Sequence, residues 1–106
     1  FTVLSDEASH KVKRLVVKPG ARLSLQRHRH RREHWCIISG RAVITLDERQ
    51  FEQGPGESIN VERGAVHRIR NKGDDDLVLI EIQLGDYFGE DDIERLQDDY
   101  GRTETI

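Results

Sequence analysis

The run Gly20-Ala-Arg-Leu-Ser-Leu-Gln-Arg-His28-Arg-His30-Arg-Arg-Glu33-His-Trp35-Cys-Ile-Ile-Ser-Gly40 alternates polar and apolar residues around two histidines. In a strand, residues two apart share a face. Ser24, Gln26, His28 and His30 therefore lie on one face, and Leu23 and Leu25 on the other. A solvated outer face is the simple account of such a polar row. Two histidines at i, i+2 followed by Glu33 suggest a divalent metal site instead. Imidazole suits Zn²⁺, Fe²⁺, Mn²⁺ or Ni²⁺, and a carboxylate adds charge compensation. His28, His30 and Glu33 supply three ligands where the chain turns back after Arg31-Arg32, and His67 offers a fourth. His34 has the opposite parity to Glu33 and reads as an outer residue. His10, near the start, reads as solvated.

Outward from this run, turn signals recur at short intervals: Pro19-Gly20, Ser39-Gly40, Gly54-Pro55-Gly56, Arg63-Gly64 and Lys72-Gly73-Asp74. Between them lie strand-like segments rich in Val, Ile, Leu and Thr, at 11–18, 22–30, 34–39, 42–46, 57–61, 67–70 and 77–84. Short strands at this spacing predict an all-β sandwich or barrel. Only Glu90–Asp99 reads as a short helix, with acids in its first turn where they favour the helix dipole.

At 106 residues the chain suits one domain, and a second catalytic lobe is excluded. Residues 1–10 form a leading strand or flexible start, 11–84 the barrel and 85–106 an acidic tail. The chain opens at Phe1 without a Met, so upstream residues are not excluded. The composition is 35% hydrophobic and 35% charged, polar for a small domain but too regularly patterned in Val, Ile and Leu for disorder. No apolar run approaches the ~18 residues of a membrane span. Cys36 is the lone cysteine, which excludes an intrachain disulfide and fits a reducing cytoplasm. A net charge of −3 argues against nucleic acid as the main partner. Residues 10–35 carry nine Lys/Arg and one acid, and residues 84–106 carry eight Asp/Glu and two Arg. These are two solvated faces or two mutually attracting ones.

A second run, Gly56-Glu-Ser-Ile-Asn-Val-Glu62-Arg-Gly64-Ala-Val-His67-Arg-Ile-Arg-Asn71, makes the chain resemble the cupin family. His28-x-His30, two residues, Glu33, six residues and Gly40 follow that family's first motif, with a gap before Glu33 one residue shorter than the commonest form. Gly56, Gly64, His67 and Asn71 fall in register with its second motif, and Glu62 stands at the proline position. Fifteen residues separate Gly40 from Gly56. The resemblance implies a small double-stranded β-helix (jelly-roll) barrel with a metal in its lumen, held by His28, His30, Glu33 and His67. A short helical tail would follow the barrel. Zn²⁺ is the first choice of ion, with Mn, Co, Ni, Fe and Mg left open.

Flanking residues narrow the resemblance. The run from Lys11 to Gln26, the Gln26-x-His-x-His-x-x-Glu-His-Trp35 run and the tail Glu90-Asp-Asp-Ile…Asp-Asp-Tyr-Gly-Arg102 are similar to the type II mannose-6-phosphate isomerase domain. That domain often ends bifunctional enzymes that also carry guanylyltransferase activity, and nucleotide transfer is not expected of these 106 residues. Arg29 and Arg32 depart from the pattern. The resemblance implies a cytoplasmic homodimer that interconverts mannose 6-phosphate and fructose 6-phosphate, with a small phosphorylated sugar as partner and neither nucleic acid nor membrane. Such a reaction needs a Lewis acid, a base near C2 and cations for the phosphate.

Parity supplies candidates. Glu81 and Gln83 share one face of the last long strand, and Glu81 is the first choice of base. Lys13 and Arg14 compete for the phosphate, since alternation sends one inward and one outward; Lys13 is preferred. Gln26, Trp35, Gln83 and Tyr87 are candidate substrate contacts, Trp35 as a sugar-stacking wall or as core. The tail is expected to cover the barrel mouth, bringing Tyr87 or Arg102 near substrate, or to meet a partner subunit. Two other functions stay in play: a metal- and sugar-binding module without turnover, and a metal-dependent dioxygenase. The basic residues on the site strands suit phosphate better than the dioxygenase's apolar substrate.

Overall fold

The computed structural model describes residues 1–97. Through them run β1 (Thr2–Asp6), β2 (His10–Val17), β3 (Leu25–His28), β4 (Arg31–Ser39), β5 (Ala42–Leu46), β6 (Arg49–Gln53), β7 (Ser58–Val61), β8 (His67–Asn71), β9 (Leu77–Gly85) and β10 (Ile93–Gln97). They form two five-stranded sheets, ordered β1-β2-β9-β4-β7 and β10-β3-β8-β5-β6, with antiparallel pairing. Antiparallel sheets bury one face and leave the other near water. Among the described residues no helix is long and apolar enough to cross a membrane.

The buried face changes character along single strands. On β9, Leu77, Leu79, Glu81 and Gln83 are buried, while the intervening Val78, Ile80, Ile82 and Leu84 are half-buried. On β4 the buried row is Arg31, Glu33, Trp35 and Ile37. Cross-strand partners match these rows: Ile37 faces Leu79, Trp35 faces Glu81, and Glu33 faces Gln83. The second sheet repeats the plan, with Ala42 opposite Asn71, Ile44 opposite Ile69 and Leu46 opposite His67.

The barrel therefore has two storeys. The lower is a close-packed apolar core of Ile37, Ala42, Ile44, Val61, Ile69, Leu77 and Leu79. Each fully buried Ile or Leu contributes about 1.5–3 kcal/mol. The upper storey holds His28, Arg31, Glu33, His67, Glu81 and Gln83, all buried. Each of these polar groups costs about 1–3 kcal/mol if left unpaired. The lower storey carries stability and the upper storey spends it, the pattern of a functional site.

Asn71 closes the bottom. Its side chain is fully buried, donates from Nδ2 to the carbonyls of Val17 (2.9 Å) and Asp75 (2.7 Å), and accepts from the Gly73 N–H (2.9 Å). Asn71→Ala is expected to lower unfolding free energy by about 2–4 kcal/mol in urea denaturation, because three backbone groups lose partners. A loss under ~1 kcal/mol would show that water replaces the amide. Gly40 is required nearby. Its φ is +90°, and a Cβ there would stand 2.9 Å from the Asp76 carbonyl oxygen.

Three segments differ from the sequence reading. Residues 90–97 are not helical: Glu90–Asp92 make a single 3-10 turn and Ile93–Gln97 form β10 along β3. An open sheet edge beside β3 offers more hydrogen bonds than a short helix in water, and Ile93 is buried there. Residues 98–99 of the expected helix, and Arg102, lie outside the described residues. β6 is an additional strand, polar enough to escape notice because it edges its sheet and turns only Phe51 and the polar Gln53 inward. The 22–30 segment is strand only from Leu25 to His28; Arg22 makes an isolated bridge with Arg70.

Candidate metal centre

Three chain segments deliver the centre. His28 ends β3, Glu33 lies on β4 and His67 opens β8. Their ligand atoms all lie within 4.8 Å of one another. His28 Nε2 is 3.2 Å from Glu33 Oε2, and His67 Nε2 is 3.8 Å from Glu33 Oε1. Gly64 helps set the relation of β3 to the turn before β8, donating its N–H to the His28 carbonyl at 2.7 Å.

The carboxylate is held from several sides. Arg31 Nε donates to Glu33 Oε2 at 3.0 Å, and Trp35 Nε1 donates to Glu33 Oε1 at 3.0 Å. Burial pushes the Glu33 carboxyl up, but His28, His67 and Arg31 outweigh it and hold it well below the usual carboxylate range. His67 is pushed down, first by burial and further by the electrostatic influence of its neighbours, Arg31 among them, against the pull of Glu33. Its Nδ1 lies 3.0 Å from the Ala65 carbonyl, which only accepts, so Nδ1 carries a proton and Nε2 is the nitrogen that faces Glu33.

These donors fit a divalent cation. Among the described residues the buried His28 Nδ1 has no hydrogen-bond partner, while its Nε2 is the nitrogen that faces Glu33. Tetrahedral ligands about 2.0–2.1 Å from Zn²⁺ sit ~3.4 Å apart. The observed 3.2 and 3.8 Å separations, each to a different oxygen of Glu33, lie near that value, within ligand atoms that all stand no more than 4.8 Å apart. Two imidazoles and one carboxylate leave coordination positions for water or substrate, as catalytic sites require. Arg31 Nη2 stands 3.3 Å from His28 Nε2 and supplies the positive charge beside these ligands in the present geometry.

Next to the centre lies a second carboxyl. Glu81 accepts from Gln83 Nε2 at 2.6 Å and is hydrogen-bonded with Glu33. Burial, then the Glu33 charge and that hydrogen bond, push its carboxyl up to about 8, against Gln83 and Arg31. Two neighbouring carboxyls thus hold opposite protonation states, the arrangement that separates acid from base roles. Lys13, buried at 5% exposure, faces Glu81 in register from β2, with Nζ 4.1 Å from the centre of the Phe1 ring.

Several sequence candidates stand elsewhere. His30 is not in the centre. β3 ends at His28, so His30 sits on a bend, its side chain 57% exposed and its ring edge-on to Tyr87. Strand alternation does not reach past the end of the strand. Arg14 is exposed, since it alternates with the inward Lys13. Tyr87 is also exposed, its hydroxyl on Asp91. Trp35 is buried beneath the centre, edge-on to His67, and braces Glu33 rather than offering an open wall. Gln26 is half-buried beside the centre, in register with His67 and bonded to Ser24. Gln83 is fully buried against Glu81. His34 bonds Asn60 on the outer face. Arg31 is a site residue that the sequence reading misses, although it shares parity with Glu33 and Trp35. That signal is readable once β4 is known to begin at Arg31.

Two antiparallel sheets with imidazoles and a carboxylate converging between them have the cupin fold. The chain superposes on the cupin domain of Schizosaccharomyces pombe Cnp3 with a TM-score of 0.77, covering 81% of this chain and 64% of that one at 23% identity. More narrowly, residues 1–98 match the mannose-6-phosphate isomerase C-terminal family, and the chain belongs to it. It is 53% identical over 92 residues to the alginate biosynthesis protein AlgA of Pseudomonas aeruginosa, covering 87% of this chain and 19% of AlgA. It is 46% identical over 93 residues to the mannose-1-phosphate guanylyltransferase of Escherichia coli K12, covering 88% of this chain and 20% of that one. The chain spans about a fifth of the length of these curated relatives.

Proposed function

We propose that this domain is a metal-dependent aldose–ketose isomerase acting on mannose 6-phosphate and fructose 6-phosphate. The observation that carries the reading is the buried Glu81 carboxyl, raised to about 8, directly beside the His28/Glu33/His67 group. Such a carboxyl is matched to proton transfer near neutral pH. Membership of the isomerase C-terminal family supports it.

A divalent ion, Zn²⁺ by preference, held by His28, Glu33 and His67, would polarise the sugar oxygens at C1 and C2. The chain's own residues do the rest. In the fraction of molecules in which it is ionised, Glu81 takes the proton from C2 of the aldose and returns it to C1, while a second proton passes from the O2 side to the O1 side. Gln83 holds the Glu81 carboxyl in one orientation. Arg31 and Trp35 keep Glu33 fixed and ionised. Lys13, on the lumen face of β2, is the cation for the substrate phosphate.

The test is a coupled assay for fructose 6-phosphate formation. Turnover is expected with Zn²⁺, Mn²⁺ or Co²⁺, background rate after EDTA, and recovery when the ion is returned. Absence of turnover with every ion, alongside tight metal binding, would leave a binding module.

A further inference from the structure

β3 carries His28, whose carbonyl accepts the Gly64 N–H on its inner side. It meets β8 through one register pair, Gln26 with His67. Along its other edge β10 pairs continuously from Ile93 opposite His28 to Gln97 opposite Leu25, with one irregularity.

The turn before β10 fastens the end of β3. Asp92, buried at 7% exposure, accepts the backbone N–H of Arg29 on Oδ1 at 3.2 Å and that of His30 on Oδ2 at 2.9 Å. Both N–H groups belong to the two-residue bend between His28 and Arg31, so one carboxylate spans the whole connection. Bonds of this charged kind are the stronger ones. The same segment holds both flanks. Glu94 takes the Arg27 guanidinium through Nε (2.6 Å) and Nη2 (2.8 Å), and the Phe88 carbonyl accepts from Arg31 Nη1 (3.3 Å).

We infer that Asp92 is a positioning residue of the metal centre, its carboxylate setting the Arg29–His30 bend and thereby aiming His28 and Arg31 at Glu33. The inference rests on the metal reading above and adds to it a residue far along the chain that touches no ligand. Partners that orient ligands from behind typically govern metal affinity about 10–100-fold. The bonds of the Asp92 carboxylate go to the bend rather than to the lower storey, so its loss acts on the centre and not on the core.

The experiment uses the full chain. Co²⁺ binding is followed by its visible absorption. In metal-free protein, NMR follows the His28 ring signals and amide exchange at residues 29 and 30. Asp92→Ala is expected to weaken Co²⁺ about 10–100-fold, speed exchange at both amides and move the His28 ring signals. Asp92→Asn, which keeps one acceptor oxygen, falls between. Glu94→Gln spares the bend and changes Co²⁺ affinity far less. Unchanged affinity and unchanged ring signals in Asp92→Ala overturn the inference. Should the Ala variant not fold, Asp92→Asn decides on the same readouts. A parent chain that binds no Co²⁺ sinks the metal reading alone, and Asp92 is then judged by the His28 ring and the two amides.

Discussion

Glu33→Ala is expected to abolish useful metal binding and to destabilise the metal-free fold together. The carboxylate is 2% exposed and accepts from Arg31 and Trp35 while facing both imidazoles. Its removal leaves the Arg31 guanidinium buried without its main counter-charge, a defect worth about 3–5 kcal/mol. For a domain of this size that corresponds to a fall in thermal midpoint of roughly 15 °C or more. Metal affinity should fall more than the ~100-fold that indirect partners command, since a ligand itself is lost. Glu33→Gln separates the two effects. It keeps the shape and one acceptor for Trp35, so packing survives, but it still leaves Arg31 unneutralised and offers the ion a weaker donor. Calorimetric titration with Zn²⁺ and thermal unfolding of the metal-free variants measure both. Parent-like Zn²⁺ affinity in Glu33→Ala would show that the buried group is a structural ion-pair network, not a metal centre.

Strand parity explains why so much of the upper storey is legible in the amino-acid sequence. Glu81 and Gln83 share a face because the side-chain period of a strand is two, and the sheet places them inward beside Glu33. The same rule sets Lys13 and Arg14 on opposite faces, and burial of Lys13 shows which turns inward. The rule fails where the chain stops being a strand. His28 and His30 look alike in the sequence, yet the bend held by Asp92 begins between them and turns His30 outward. Nothing local to His28-Arg-His30 announces the bend, because its cause lies some sixty residues away. The tail shows the same limit. Its acids near the start of an expected helix are instead hydrogen-bond acceptors for β3, a role that only the open edge of β3 creates. Arg31 is hard to single out because a run of alternating arginines reads as solvated charge until one of them is found buried against a carboxylate.

Glu81→Gln is expected to lower isomerase kcat by about 10²–10⁴, the usual contribution of a positioned acid–base group. The substitution is close to isosteric. Its amide oxygen can still accept from Gln83 Nε2, which now bonds Glu81 at 2.6 Å. Its amide nitrogen can donate toward Glu33, as the protonated carboxyl does. Fold and metal affinity should therefore stay near those of the parent, and KM should change little, because a base that acts only as the proton moves adds little to ground-state binding. A structural role makes the opposite forecast. If Glu81 merely braces Glu33, then Gln, preserving both hydrogen bonds, leaves kcat intact, whereas Glu81→Ala disturbs metal affinity. Solvent-derived deuterium entering at C2 of mannose 6-phosphate or C1 of fructose 6-phosphate gives an independent reading of the same step. Its loss in Glu81→Gln, with metal still bound, assigns the proton to this carboxyl. A full rate in Glu81→Gln would remove Glu81 from the chemistry and require another base in the lumen.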